Sequence, residues 1–457
     1  MTQVATTPPP NTPPGISSPF PGTIHLNAFQ ILMRRWSHLH PYNAGQVMEV
    51  TGEPNRQRWK LAVESVINEM GLGVPQFSNN ETQVNFTPAT QVVIHQSEQN
   101  IESFFNEELN RPFAAGDMSV RFCVLPKPAS KSHYFALVYD HWIGDSRAMR
   151  ELMQRIFQRY QSPGNGGLPP LKLDAPDFKS IFRKHIGRLT WLTAMRESLK
   201  NFWRGRRGFR MGIGNPLNFN SRFLYRELPQ GLIDKVYRLA KSNQASVNDA
   251  FIAVLAQTMG EFTAEKRAKR RKKKFHFPRN QMGIGTIVDI RDASAEPLDG
   301  IFNLYLSSYM VFLNKPEHRP VPDLLHEVAA TTAHVKKTFG TVRGFWSLVM
   351  VRFWTDRLKR SPRHQARLMH QIVPLVAGIS NVNMTKSWAD QPQETEGTPY
   401  VLDYLRISPT GPLSPLVFTL TTIRDRLSLC MTYRTSAFSD EAAMKILEDF
   451  MRRLSAI

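Results

Sequence analysis

Residues 134–141 read YFALVYDH, residues 142–145 read WIGD, and residues 146–160 read SRAMRELMQRIFQRY. The first piece alternates as a strand does. Phe135, Leu137, Tyr139 and His141 fall on one face, and Ala136, Val138 and Asp140 on the other. From Ser146 the period becomes helical, with Ala148, Met149, Leu152, Met153, Ile156, Phe157 and Tyr160 forming one apolar stripe. The segment DHWIGD, 140–145, therefore sits where a buried strand gives way to an amphipathic helix. Polar residues at such a junction can face a cleft.

Outward from this unit the chain keeps mixing the two periods. Upstream, helices are predicted over 26–38, 55–70 and 101–110, and strands over 45–51, 91–95 and 118–125. Downstream, residues 161–178 are rich in Gly and Pro and read as a crossover. Strands are predicted at 222–228, 283–290 and 304–313. A helix starts at the candidate cap Ser246 and runs over 247–262, and another covers 324–339. Residues 416–422 and 427–433 flank a turn as a strand pair, and a last helix covers 440–454. Residues 345–354 are aromatic and read as core or as lipid contact. At 457 residues the chain suits two lobes rather than one core. The expected division is a Pro-rich tail over 1–22, an N-terminal lobe over 23–165, a crossover over 166–215 and a C-terminal lobe over 216–457.

Charge and cysteine content restrict the function classes. There are 58 Lys plus Arg against 38 Asp plus Glu, a formal net charge of +20, which favours anionic partners. Eight of the nine residues over 266–274 (KRAKRRKKK) are basic. That run reads as a solvated surface, with an anionic membrane surface or nucleic acid as the alternatives. No helix-turn-helix or aromatic–basic strand signature supports nucleic acid, so a nucleic-acid partner is not expected. Seven prolines in the first 22 residues speak against a signal peptide. No apolar run is long enough to span a bilayer. The expected location is cytoplasmic, with peripheral membrane contact through the basic run as an addition. Cys123 and Cys430 lie in strand-like stretches and are expected as buried thiols. No Cys or His cluster has metal spacing, and His364 and His370 fall on different helical faces, so no metal is expected.

His141 is the natural candidate for chemistry, because a histidine can take a proton near neutral pH. A carboxylate four residues on, Asp145, can organise the loop without touching substrate. The order of pieces over 109–160, from NRPFAAGDMSVRFCVLP through HYFALVYDHWIGDS to the helix, closely resembles the first lobe of the CoA-dependent acyltransferase superfamily. That superfamily includes peptide-synthetase condensation domains, chloramphenicol acetyltransferase, plant alcohol acyltransferases and bacterial wax-ester synthases. Its pattern there is His-His-x-x-x-Asp-Gly. This chain departs from it twice, with Asp140 at the first His and Ser146 at the Gly. His141 matches the second His and Asp145 the Asp.

The second half resembles the wax-ester synthase/diacylglycerol acyltransferase arm. ASVNDAFIAVLAQTM from Ala245 is similar to its Val-Asn-Asp helix, which brings in Asn248 and Asp249 as supports of the site. GIGTIVDIRDA from Gly283 is similar to the strand whose Arg, here Arg291, pairs with the loop Asp. GISNVNMTKSW from Gly378 is similar to its Ser-Asn-Val segment, which offers Ser380 and Asn381 as oxyanion or substrate contacts.

The resemblance implies an α/β (α+β) fold of two chloramphenicol acetyltransferase-like lobes, each a mixed sheet with helices, with an active-site channel between them. It implies transfer of an acyl group from a thioester to a hydroxyl or amine, with His141 as general base. No permanent cofactor is implied; acyl-CoA enters as co-substrate, and an acyl carrier protein is the alternative carrier of the donor. A catalytically degenerate member that only binds ligands is the remaining reading.

Overall fold

The computed structural model describes residues 22–89, 91–127, 130–164, 168–173, 181, 182, 185, 188–271, 279–338, 340–342, 344, 345, 348, 352, 353, 364, 373–388 and 398–457. Outside these lie the tail over 1–21, part of the crossover, residues 272–274 of the basic run, His370 and much of the aromatic stretch.

The first half contains β1 (Ile24–His25), α1 (Ala28–Ser37), β2 (Asn43–Thr51), α2 (Arg56–Met70), β3 (Val74–Phe77), β4 (Gln83–Thr87), β5 (Ile94–Gln96), α3 (Ile101–Glu108), β6 (Val120–Pro126), β7 (Ser132–Asp140) and α4 (Ser146–Gln161). After the crossover helix α5 (Arg188–Arg206) come β8 (Ser221–Glu227), α6 (Leu232–Ser242), α7 (Val247–Arg271), β9 (Gln281–Asp289), β10 (Leu306–Asn314), α8 (Val321–Lys337), β11 (Ala377–Asn383), β12 (Val401–Ile407), β13 (Leu416–Ile423), β14 (Arg426–Arg434) and α9 (Asp440–Ser455).

Among the described residues the strands form three sheets. Strand order is β12-β2-β7-β6-β5 in the first large sheet, β10-β9-β11-β13-β14-β8 in the second, and β1-β4-β3 in a small third one. Both large sheets are mixed, because β5 runs parallel to β6, and β11 parallel to β9 and β13, among antiparallel neighbours. The fold is therefore the expected two-lobed α/β arrangement.

The alternation of β7 is resolved into two cores rather than core and solvent. Phe135, Leu137 and Tyr139 pack with α2 and α4, whereas Tyr134, Ala136 and Val138 join Phe105, Phe223, Leu405 and Cys430 between the two large sheets. On the first side, Trp59 of α2 is fully buried and stacks between Phe135 at 3.9 Å and Tyr160 at 3.7 Å. A strand buried on both faces is fixed in register, since a slip would place every side chain in the wrong core.

Two devices join the halves. β12 belongs to the C-terminal half in sequence, yet it pairs antiparallel with β2 as an edge strand of the first sheet. In return, Glu102 and Asn106 of α3, and Asn110 just beyond it, accept hydrogen bonds from the backbone N–H groups of Tyr225, Phe223 and Ser221, at 2.8, 2.7 and 2.9 Å. A four-residue helical step rises about 6 Å and a two-residue strand step about 6.6 Å, so the spacings match. The exposed edge of β8 is thereby closed against further pairing.

α7 is longer than its apolar pattern suggests and carries the start of the basic run, since Lys, Arg, Glu and Ala all extend helices well. Arg267 is not a solvated charge. It is buried, pairs with Glu317 at 2.8 Å and donates to the Gly260 carbonyl at 2.8 Å. Among the described residues no helix is long and apolar enough to cross a membrane.

Candidate active site

The loop from Asp140 to Asp145 is pinned at nearly every residue. Asp140 ends β7 and pairs with Asn43 of β2. The His141 N–H donates to the Tyr42 carbonyl at 3.0 Å, and the Ile143 N–H to that of Asp140 at 3.1 Å. Trp142 turns into the core against Phe77 and Phe86, and its carbonyl accepts from Gln30 of α1 at 3.1 Å. Asp145 is the N-cap of α4, as its position before an apolar helical stripe requires.

His141 is half-buried, stacked on Tyr42 at 5.8 Å and edge-on to Tyr139 at 5.6 Å. Its Nδ1 lies 3.2 Å from the Gly144 carbonyl oxygen. A carbonyl can only accept, so the bond puts the proton on Nδ1 and the lone pair on Nε2. Burial depresses the imidazole pKa below its ordinary value, against smaller opposing effects of backbone hydrogen bonds and the Asp145 charge. The ring is thus neutral at pH 7, with Nε2 free of hydrogen-bond partners among the described residues.

Asp145 is fully buried and makes no contact with the imidazole nitrogens. Its Oδ1 accepts from the Arg147 and Ala148 N–H groups at 3.0 and 2.9 Å and from Arg291 Nη2 at 3.2 Å. Its Oδ2 accepts from Arg291 Nη1 at 2.7 Å and from the Tyr305 N–H at 2.8 Å. Five donors on two oxygens leave nothing for proton transfer; the carboxylate is a fastener. Arg291 lies in a short 3-10 turn after β9, also meets Asp289 at 3.2 Å and the Asn303 carbonyl at 3.0 Å, and stands over the Tyr305 ring. Burial would lower its pKa, but Asp145 and Asp289 outweigh that and raise it.

The other candidates fall into two groups. Asp249 forms a capping arrangement with Ser246 at the start of α7 and accepts from Thr332 at 2.8 Å. Asn248 reaches Thr286 of β9 at 3.4 Å. Neither touches His141, Asp145 or Arg291. Ser380 is brought close through Arg406 of β12, whose Nη1 donates to Ser380 Oγ at 3.2 Å and to Ser146 Oγ at 3.3 Å. Asn381 is the next residue along β11, and its Oδ1 is buried without a partner among the described residues.

Sequence reasoning did not single out Arg406. It is a fully buried arginine whose pKa burial lowers to about 10, and it ties together Ser146, Ser380 and the Leu420 carbonyl. Its one signal was its place, together with Asp403, inside a mainly apolar stretch, VLDYLRI. Ser146, at the position of the family Gly, uses its hydroxyl for Arg406 and Gln46. Asp140, at the position of the first family His, accepts from Ser37 at 2.8 Å and meets Arg34 at 3.5 Å. Both departures are absorbed by local hydrogen bonds.

Both cysteines are free and buried in the cluster between the large sheets. Burial pushes the Cys123 thiol up to about 12 and that of Cys430 further, so neither is a nucleophile at neutral pH. Among the described residues no group of three His, Cys, Asp or Glu side chains could hold a metal ion.

The architecture has solved counterparts. The trichothecene 15-O-acetyltransferase of Fusarium sporotrichioides superposes with a TM-score of 0.69 at 10% identity, over 95% of each chain. The condensation domain of the monacolin K polyketide synthase gives 0.65 at 12% identity, over 96% of this chain and 97% of its own. The first condensation domain of the calcium-dependent antibiotic synthetase gives 0.63 at 13% identity, over 95% of each. The fold is that of the two-lobed condensation domains and acetyltransferases. No protein-family model and no curated protein matches the sequence. At these identities the likeness concerns the fold alone.

Proposed function

We propose that the chain is an acyltransferase that moves an acyl group from a thioester, acyl-CoA by default, to a hydroxyl or amine acceptor. The observation that carries this reading is the state of His141. It is a neutral imidazole with Nδ1 committed to Gly144, Nε2 left over, and its loop fastened by the buried Asp145–Arg291 pair.

In this reading Nε2 takes the proton as the acceptor oxygen or nitrogen attacks the thioester carbonyl carbon. The carbonyl π electrons move to oxygen in the tetrahedral intermediate. On collapse the carbon–sulfur bond breaks, and the imidazolium returns the proton to the departing thiolate. Ser380 serves as an oxyanion or substrate contact. Its Oγ accepts from Arg406 and keeps its own hydrogen to donate. Asn381, the next residue of β11, presents its side chain to the opposite face and stays a candidate for substrate contact there, not for the same oxyanion. The wax-ester-like resemblance of the second half favours a fatty acyl donor and a hydroxyl acceptor.

A donor held on an acyl carrier protein is the second reading, favoured by the condensation domains among the similar structures. A thiol-release assay separates the possibilities. Acyl-CoAs of several lengths and the same acyl groups on carrier protein are each offered with pooled alcohols and amines. Release that depends on acceptor supports acyl transfer, and the donor that works identifies the carrier. No release with any donor overturns the reading in favour of a binding protein.

A further inference from the structure

Four large apolar side chains on α5 face outward: Leu192, Met195, Leu199 and Trp203 are each between 52% and 58% exposed. At 100° per residue they fall within an arc of about 80°. Beside that arc lie Arg196, Lys200 and Arg204, all exposed, over roughly the next 80°. The helix has 19 residues, carries no acid in its first turn, and ends on Arg204 and Arg206. Its length of about 28 Å gives room for the stripe to lie flat, and its charges exclude a spanning role.

We propose that this face of α5 is a docking surface for an anionic lipid bilayer. A contiguous stripe of large apolar side chains is unusual on a surface without an occupant. Leu, Met and Trp on one arc, with Arg196, Lys200 and Arg204 on the adjoining one and Arg206 at the end of the apolar arc over the Trp203 ring, is the pattern of a helix lying in the headgroup region. Tryptophan is favoured at that depth, and basic side chains beside it are drawn to anionic headgroups. The charge complementarity also fits the net charge of +20. In sequence the basic run over 266–274 offers membrane contact as an alternative to a solvated surface, but there Arg267 is committed to Glu317 and supplies no apolar stripe. α5 supplies both components on one element.

The test is co-sedimentation of the full chain with phosphatidylcholine vesicles, with and without phosphatidylserine. Expected is binding at low salt to the phosphatidylserine vesicles only, weakened by added salt. The pair Leu199→Ser/Trp203→Ser and the pair Arg196→Gln/Arg204→Gln should each reduce partition about tenfold or more. Because these side chains are exposed, melting temperature and any turnover of a soluble acceptor should stay unchanged. Lys266→Gln/Lys269→Gln should leave partition within about twofold of the native chain. Absence of binding at low salt overturns the proposal, as does equal binding to both vesicle types. It is equally overturned if the lysine pair abolishes binding while both α5 pairs retain it.

Discussion

Asp145 and Arg291 are 146 residues apart in sequence and meet through two hydrogen bonds, at 2.7 and 3.2 Å, with almost no solvent access to either side chain. The pair joins the cap of α4 to the turn after β9, so it couples the loop carrying His141 to the second half of the chain. Removing one member strands a buried charge, at a cost of about 3–5 kcal/mol. Asp145→Ala and Arg291→Ala should each lower the melting temperature, and Asp145→Ala should be the worse because it also loses the cap. The double variant should be less stable than wild type but better than the sum of the singles. Denaturant unfolding of the four proteins checks this; strict additivity would mean that the residues do not interact.

Asp140 carries a pH signature of its own. Burial pushes its carboxyl up to about 6, against the favourable effects of Ser37 and Arg34. A raised folded-state value means that the native state binds the proton more tightly than the unfolded chain. This group's contribution to stability therefore falls as pH rises from about 4 to about 6. Asp140→Asn should remove that dependence and gain on wild type by up to about 3 kcal/mol across this window. Loss of the Arg34 contact will trim the gain. Chemical denaturation at pH 4 and pH 7 reads it directly. A constant difference between the two proteins would show that Asp140 titrates normally.

Cys123 and Cys430 should resist iodoacetamide in the native protein, because burial disfavours both thiolates. They should label fully in denaturant. Mass spectrometry after native labelling is the check, and rapid modification of either without unfolding would contradict the packing between the sheets.

In the proposed mechanism, with His141 as the base, its depressed pKa sets the acid limb of the pH–rate profile. Below that pKa Nε2 is protonated and cannot act as base. The rate should therefore fall with acid through a midpoint under the ordinary imidazole value of about 6.5. A midpoint above it would mean that the charged form is favoured, contrary to the buried environment.

Much of this arrangement was legible in the sequence, for physical reasons that differ by element. β7 and α4 were readable because the apolar period changes from two to 3.6 at one point, between His141 and Ser146. The hairpin of β13 and β14 was readable because its runs are apolar and β-branched around a charged turn. β12 was not, because Asp403 and Arg406 interrupt its apolar run, and both prove to be buried with hydrogen-bond partners. β3 and β4 are short and polar and gain their order from packing over Trp142. α6 went unread, although Leu232, Val236 and Ala240 give it a buried face. In the site, the Asp145–Arg291 contact followed from resemblance, not from spacing. The roles of Tyr42, Tyr305 and Arg406 depend on three-dimensional neighbours that no local pattern encodes.

The most direct test of the central claim is acceptor-dependent thiol release by His141→Ala beside the wild-type chain. Circular dichroism and melting temperature serve to establish that the variant is folded. Expected is a loss of about 10²–10⁴-fold in turnover, the usual worth of a positioned general base, with little change in the binding of donor. A folded variant that turns over at nearly the wild-type rate would contradict the assignment of His141 as the base.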